Sequence, residues 1–175
     1  SSRIIINAAG LGQDSISDLI GLDVDRLGYR QYLCKGEWFT VADRHRGRLR
    51  RLVYPVGKAA DGGLGVHSCM DLSGGLRLGP DAEWLSEFPQ RLEATPTKGR
   101  DFLLSGQRLF PWLEDDDLRP DQAGLRTKLS DRDGDFSDFI VCEESKEGLP
   151  GWITLAGIES PGLTSAPALA RRVAD

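Results

Sequence analysis

Long apolar runs, histidines and paired cysteines are all scarce in this sequence. No apolar run approaches the ~18 residues a membrane span requires; Ile4-Ile5-Ile6 is only strand-sized. The chain does not open with a basic region followed by an apolar stretch, so no secretory signal peptide is visible. With two histidines, His45 and His67, a histidine-based metal cluster is not expected. Cys34, Cys69 and Cys142 are odd in number, far apart and lack CxxC spacing. That excludes a disulfide framework and a zinc site, and it fits free thiols in a reducing cytoplasm. Basic charge is also short: 22 Lys and Arg stand against 27 Asp and Glu, a net charge of -5, which excludes nucleic acid as the main partner. The one basic cluster, Arg44-His45-Arg46-Gly47-Arg48 with Arg50 and Arg51, reads as a solvated loop between two strands. A contact with an acidic partner is the alternative.

Glycine is what the sequence has in excess, with 21 residues against an average usage of about 7%. The glycines have no Gly-X-Y period and fall in distinct short motifs, the pattern of tight turns or of backbone approaching something closely. The opening Arg3–Asn7 reads as a fully buried strand. Ala8-Ala9-Gly10-Leu11-Gly12 follows as a small-residue turn, and then a short helix over Asp14–Ile20 with Ile16, Leu19 and Ile20 on its apolar face. Strand, glycine turn and helix in this order are the grammar of a nucleotide-binding α/β layer. The middle of the chain changes character. Tyr32–Leu33, Trp38–Val41, Leu52–Val56, Gly65–Leu72 and Leu76–Gly79 are strand-like, and Ser73-Gly74-Gly75 is a hairpin turn between two of them. Such closely spaced strands imply an antiparallel sheet. A helical spacing runs from Arg100 to Leu113, and two further strands are expected at Ala123–Leu129 and Phe139–Val141 around the turn Asp131–Gly134. The last part returns to the opening grammar: strand Trp152–Ala156, turn Gly157–Gly162 and helix Leu163–Val173. In that helix Ser160 is the expected cap, Pro161 opens the first turn, and Leu163, Ala166, Leu169, Ala170 and Val173 form the buried stripe.

The fold class expected is α+β: an antiparallel or mixed sheet with helices, flanked either by terminal pieces of an incomplete Rossmann-like domain or by parts of an unfamiliar fold. The terminal pieces are 1–27 and 150–175, and the sheet domain is 28–149. The Gly-x-Gly-x-x-Gly turn that receives a pyrophosphate is absent.

Seven motifs fall in one order: Asn7-Ala-Ala-Gly-Leu11; Lys35-Gly-Glu-Trp-Phe39; Tyr54-Pro-Val56; Gly65-Val-His67; Leu78-Gly-Pro-Asp-Ala-Glu83; Arg119–Leu129; and Gly157-Ile-Glu-Ser-Pro-Gly-Leu-Thr-Ser165. Together they resemble the D-amino-acid-oxidase-like FAD oxidoreductases, and within them the L-2-hydroxyglutarate dehydrogenase/oxidase group. The resemblance covers nearly the whole chain. It implies an enzyme that oxidises a small 2-hydroxy acid to the 2-oxo acid with FAD as hydride acceptor. It also implies a preceding segment that holds most of the FAD, without which this chain is expected to be inactive and free of FAD. Peripheral membrane association through an electron acceptor, and homo-oligomers through exposed strand edges, are compatible with it. Amino-acid or glycerol-3-phosphate oxidation on the same architecture, or a non-catalytic fragment, are the alternatives.

Residue roles follow from the resemblance. Ala8, Ala9 and Gly10 look like the turn beside the FAD ribose and pyrophosphate. Gly157, Ser160, Gly162, Leu163 and Thr164 look like the turn and helix start whose amides face the flavin, where a helix N-terminus suits gathering negative charge. Arg126 resembles the arginine facing the substrate's acid group, for which a planar guanidinium is suited, with Lys128 on the same face of the strand. His67 is the expected proton acceptor, Tyr54 is a core aromatic or substrate hydrogen-bonder, and Lys35 is placed near the active-site edge. Pro167, inside the last helix, departs from a regular helical pattern.

Overall fold

The computed structural model describes residues 2–56, 65–131 and 137–174. The chain divides into two compact units: Ser1–Leu33 with Arg126–Asp175, and Cys34–Leu125.

The first unit is built on a three-stranded sheet of β1 (Ile5–Asn7), β8 (Trp152–Ala156) and β7 (Ile140–Glu143), in the order β1-β8-β7. β1 and β8 are parallel, with Ile5 opposite Trp152 and Asn7 opposite Thr154, whereas β7 and β8 are antiparallel, with Cys142 opposite Thr154. One face of this sheet is covered by Leu22, Val24 and Tyr29, which bury themselves against Ala156 and the half-buried Ile140 and Leu129. The expectation of a fully buried first strand is corrected: Ile4, Ile5 and Ile6 are 60%, 49% and 50% exposed. β1 is an edge strand, and among the described residues its outer side has no neighbour.

Helix α1 (Gln13–Leu19) also packs otherwise than its apolar spacing implies. Its buried residues are Gln13 and Ser17, while Ile16 is partly exposed and Leu19 is open to solvent. The reason is a closed polar cluster. The Asn7 side-chain amide donates to the Gln13 carbonyl at 3.0 Å and to Ser17 Oγ at 3.1 Å, and Gln13 Nε2 donates to Ser17 Oγ at 3.0 Å. Buried polar groups that satisfy one another tolerate low dielectric, so the polar face turns inward. Helix α3 (Gly162–Ala174) starts one residue earlier than expected and runs on through Pro167. Its anticipated buried stripe is not buried: Gly162 is its one buried residue, Leu163 is 94% exposed, and Leu169 and Val173 are half-buried.

The second unit carries most of β2 (Tyr32–Val41), β3 (His67–Met70), β4 (Leu76–Gly79), β5 (Glu83–Leu85), helix α2 (Gly99–Gln107) and most of β6 (Leu118–Lys128), whose last three residues belong to the first unit. The sheet order is β3-β4-β2-β5, with β6 also paired to β2. β3 and β2 both run antiparallel to β4. Asp71 builds the hairpin turn between β3 and β4 by accepting from the Ser73 and Gly75 amides, both at 2.8 Å. The core beneath the sheet is Val41, Leu76, Leu78, Leu103, Phe110 and Leu113. Leu109 and Leu113 lie beyond the end of α2, so the helical spacing read from Arg100 to Leu113 ends as a helix at Gln107. Leu52–Val56 is not a strand; Val53 is held to Ser68 by reciprocal bonds, its amide donating to Ser68 Oγ and its carbonyl accepting from the Ser68 amide. The turn expected at Asp131–Gly134 lies outside the described residues from position 132 on.

The basic cluster is not a bare solvated loop. Arg44 reaches the chain's own acidic run, at 2.6 Å from Asp116 and 3.2 Å from Glu114. Buried His45 lies 2.9 Å from Asp117, and the Arg48 guanidinium stacks over Trp112.

Candidate functional site

Within the first unit, the C-terminal end of β1, the C-terminal end of β8 and the start of α3 border one concavity of about 640 Å³. Four of the expected cofactor residues line it: Ala8, Gly10, Gly157 and Gly162, joined by Thr127 near the end of β6. The rest of the wall is aliphatic, from Ile4, Ile6 and Leu155 to Leu169 and Val173 on α3. Ser160, Leu163 and Thr164 are in the same turn and first helical turn, although the wall of the concavity does not include them.

The turn itself is tightly specified. Gly157 adopts φ +66, a left-handed conformation that residues with a Cβ rarely take, and a Cβ there would overlap the Leu129 side chain. At Gly162 a Cβ would come within 2.6 Å of Ile158. These two glycines are thus needed for packing within the protein, in addition to any close approach of a ligand. Glu159 is the centre of the turn. Its amide donates to the Gly157 carbonyl at 2.9 Å and its carbonyl accepts from the Gly162 amide. The Gly162 amide is therefore engaged within the chain. In the first turn of α3 the Ser165 amide and hydroxyl both donate to the Pro161 carbonyl, at 3.0 and 2.9 Å.

Beside the turn runs the end of β6. Lys128 Nζ is 2.7 Å from Glu159 Oε1, with both side chains about four-fifths buried. Arg126 precedes it by two residues on the same strand and is half-buried, and it is itself engaged in the fold.

His67 belongs to the second unit. It is buried, stacked on Tyr54 with ring centroids 4.2 Å apart, and set edge-on to Trp38 at 5.4 Å. Its Nδ1 lies 2.9 Å from the Gly65 carbonyl oxygen. A carbonyl only accepts, so Nδ1 carries the proton and, in the neutral ring, Nε2 carries the lone pair.

Nothing in the sequence pointed to a charged cluster around the buried Glu37 of this unit. Glu37, in the middle of β2 and fully buried, receives Lys35 at 2.6 Å, the Thr95 amide at 2.7 Å, the Thr95 hydroxyl at 2.9 Å and Lys98 at 3.0 Å. Lys98 also binds Asp81 at 2.8 Å and Glu83 at 2.6 Å. Burial pushes the Glu37 carboxyl up, but the bonds from Lys35, Thr95 and Lys98 outweigh it and hold the group at about 2. Burial works against the Lys98 ammonium, and its three carboxylate partners reverse this and raise its pKa. Lys35 is therefore a member of a buried ion network inside the sheet. No signal in the sequence links Glu37 to Lys98, which lie 61 residues apart.

The model of the family described as FAD dependent oxidoreductase matches residues 1–175. The chain belongs to that family. It is 35% identical over 182 residues to the mitochondrial L-2-hydroxyglutarate dehydrogenase of Arabidopsis thaliana, covering 99% of this chain and 37% of the relative. A glycerol 3-phosphate dehydrogenase of Caloramator mitchellensis is 31% identical, over 99% of this chain and 33% of that protein. Among solved structures, the dithionite-reduced L-alpha-glycerophosphate oxidase of Mycoplasma pneumoniae with FAD bound aligns with a TM-score of 0.75 and 25% identity, across 98% of this chain and 41% of that one. This family member thus spans well under half the length of the relatives it matches. Among the described residues, no helix is long and apolar enough to cross a membrane.

The residues at the concavity fit part of an FAD. Small side chains at Ala8 and Gly10 and an aliphatic wall suit a flat ring system, whereas nothing in the wall is a cradle for a pyrophosphate.

Proposed function

We propose that this chain supplies the ring-side wall of the FAD site and part of the substrate wall in an oxidoreductase acting on a 2-hydroxy carboxylate. The observation that carries the reading is the meeting of Ala8, Gly10, Gly157 and Gly162 around one concavity in a chain of the FAD dependent oxidoreductase family. The likeness to an L-2-hydroxyglutarate dehydrogenase at 35% identity supports the substrate class. When bound, FAD supplies the two-electron acceptor that takes the hydride from substrate C2. The chain's own residues bind and move the proton. Arg126 offers a planar guanidinium to the substrate carboxylate. His67 Nε2 takes the hydroxyl proton as the C2–O bond becomes a carbonyl. Tyr54, stacked on the His67 ring, holds its plane in place.

The pyrophosphate-binding part of the site is assigned to a segment outside this chain, and the chain by itself is read as inactive. A second reading is glycerol 3-phosphate oxidation, favoured by the aligned glycerophosphate oxidase with FAD bound. The test is a substrate panel with the intact protein and an artificial electron acceptor. The expected result is a kcat/KM for L-2-hydroxyglutarate about a hundredfold above that for glycerol 3-phosphate. Preference for glycerol 3-phosphate would replace the first reading by the second, and turnover of neither would overturn both.

A further inference from the structure

We propose that Lys128 and Glu159 form a pin that fixes the turn before α3 to the end of β6, which makes Lys128 a positioning residue and not a substrate-binding one. The proposal rests on the reading of this turn as part of the cofactor site. Three consecutive residues of the chain engage the turn in three different ways. Thr127 shares the wall of the concavity with Gly157 and Gly162. Lys128 pairs with Glu159 at 2.7 Å. Leu129 fills the space that a side chain at position 157 would take.

Glu159 is suited to be the point of attachment. Both of its backbone polar groups are spent on the two glycines that bound the turn, so its position sets the position of Gly157 and Gly162 together. Its side chain is the one part left to connect the turn to another element. With side-chain exposures of 18% and 22%, the pair is shielded enough for its geometry to be held, unlike an exposed pair that solvent and salt dissolve. An ammonium committed at this distance to a carboxylate is a poor anchor for a second carboxylate from substrate. Removing either partner leaves a largely buried charge without its counterpart, so each single variant loosens the turn.

The experiment compares Lys128→Met, Glu159→Gln, Lys128→Arg and the reversed pair Lys128→Glu with Glu159→Lys in the intact protein. Amide hydrogen exchange across Ile158–Thr164 in the apoprotein is the first readout, and FAD dissociation and substrate KM are the second. Each charge-removing variant is expected to speed exchange in this segment and weaken FAD binding by about tenfold. Lys128→Arg and the reversed pair are expected to return both to within about threefold of the unmodified protein. Unchanged exchange in Lys128→Met and Glu159→Gln would overturn the pin. So would a reversed pair that recovers exchange but keeps the KM defect of Lys128→Met, because Lys128 would then bind substrate itself. Exchange in the apoprotein needs neither flavin nor substrate. A protein that binds no FAD would thus overturn the functional reading while the pin is still decided by exchange.

Discussion

Glu37→Gln isolates a fully buried carboxylate of the second unit that two ammonium groups hold. The substitution keeps the shape of the side chain, removes its charge and turns an amide NH2 toward two ammonium groups. In the fold the carboxyl titrates at about 2, against 4.5 for an unperturbed glutamate. At about 1.4 kcal/mol per tenfold change in proton affinity, the difference corresponds to about 3 kcal/mol of stability. The sign follows from the direction of the shift. A carboxyl depressed in the folded state contributes fully above 4.5, and its contribution drains away as the pH falls toward about 2. The Gln variant has no such proton to take up. Its deficit relative to the unmodified protein is therefore expected to be about 3 kcal/mol at neutral pH and about half that at roughly pH 3. Urea unfolding followed by tryptophan fluorescence measures it. Trp38, Trp84 and Trp112 lie in the second unit and only Trp152 in the first, so the signal reports the unit that contains Glu37. Comparing the two proteins at each pH cancels the titration of all other acids. A deficit that stays constant from neutral pH to pH 3, or never exceeds about 1 kcal/mol, would refute the assignment of a net favourable ion network.

Three further outcomes are expected. Gly157→Val forces a left-handed backbone and an overlap with Leu129, and should cost about 3 kcal/mol in thermal unfolding; an unchanged midpoint would mean that the turn rebuilds without strain. Thr154→Val removes a fully buried hydroxyl that has no hydrogen-bond partner among the described residues, and should leave stability equal or raise it by about 1 kcal/mol in chemical denaturation. A loss instead would reveal a bonded water at that oxygen. His67→Ala in the intact protein should lower kcat by about a hundredfold with FAD content unchanged, read from turnover and flavin absorbance; undiminished turnover would remove it as proton acceptor.

What the sequence disclosed was mostly local. The glycine turns at Ala8–Gly12 and Gly157–Gly162, the hairpin at Ser73–Gly75 and the strand Trp152–Ala156 are governed by neighbouring residues, and they stand where their residue types place them. Helix α1 misled because hydrophobic spacing assumes that the apolar face packs. Here Asn7, a neighbour from another strand, makes burial of Gln13 and Ser17 favourable. β2 was read as two short strands because Lys35, Gly36 and Glu37 break the apolar pattern, and their charges are matched by partners a long way off in sequence. The same limit applies to the candidate site. Its glycines were legible, whereas the Lys128–Glu159 pair, which joins two motifs recognised separately, depends on tertiary contact.

The exposed isoleucines of β1 also bear on the fate of the chain before and after folding. Three consecutive β-branched residues, each about half exposed, lead into and begin a strand whose outer hydrogen-bonding edge has no partner among the described residues. Such a segment is a template for further strand addition and lacks the lysines, prolines or bulges that blunt an edge. Covering β1 would thus remove an aggregation-prone edge as well as complete a sheet.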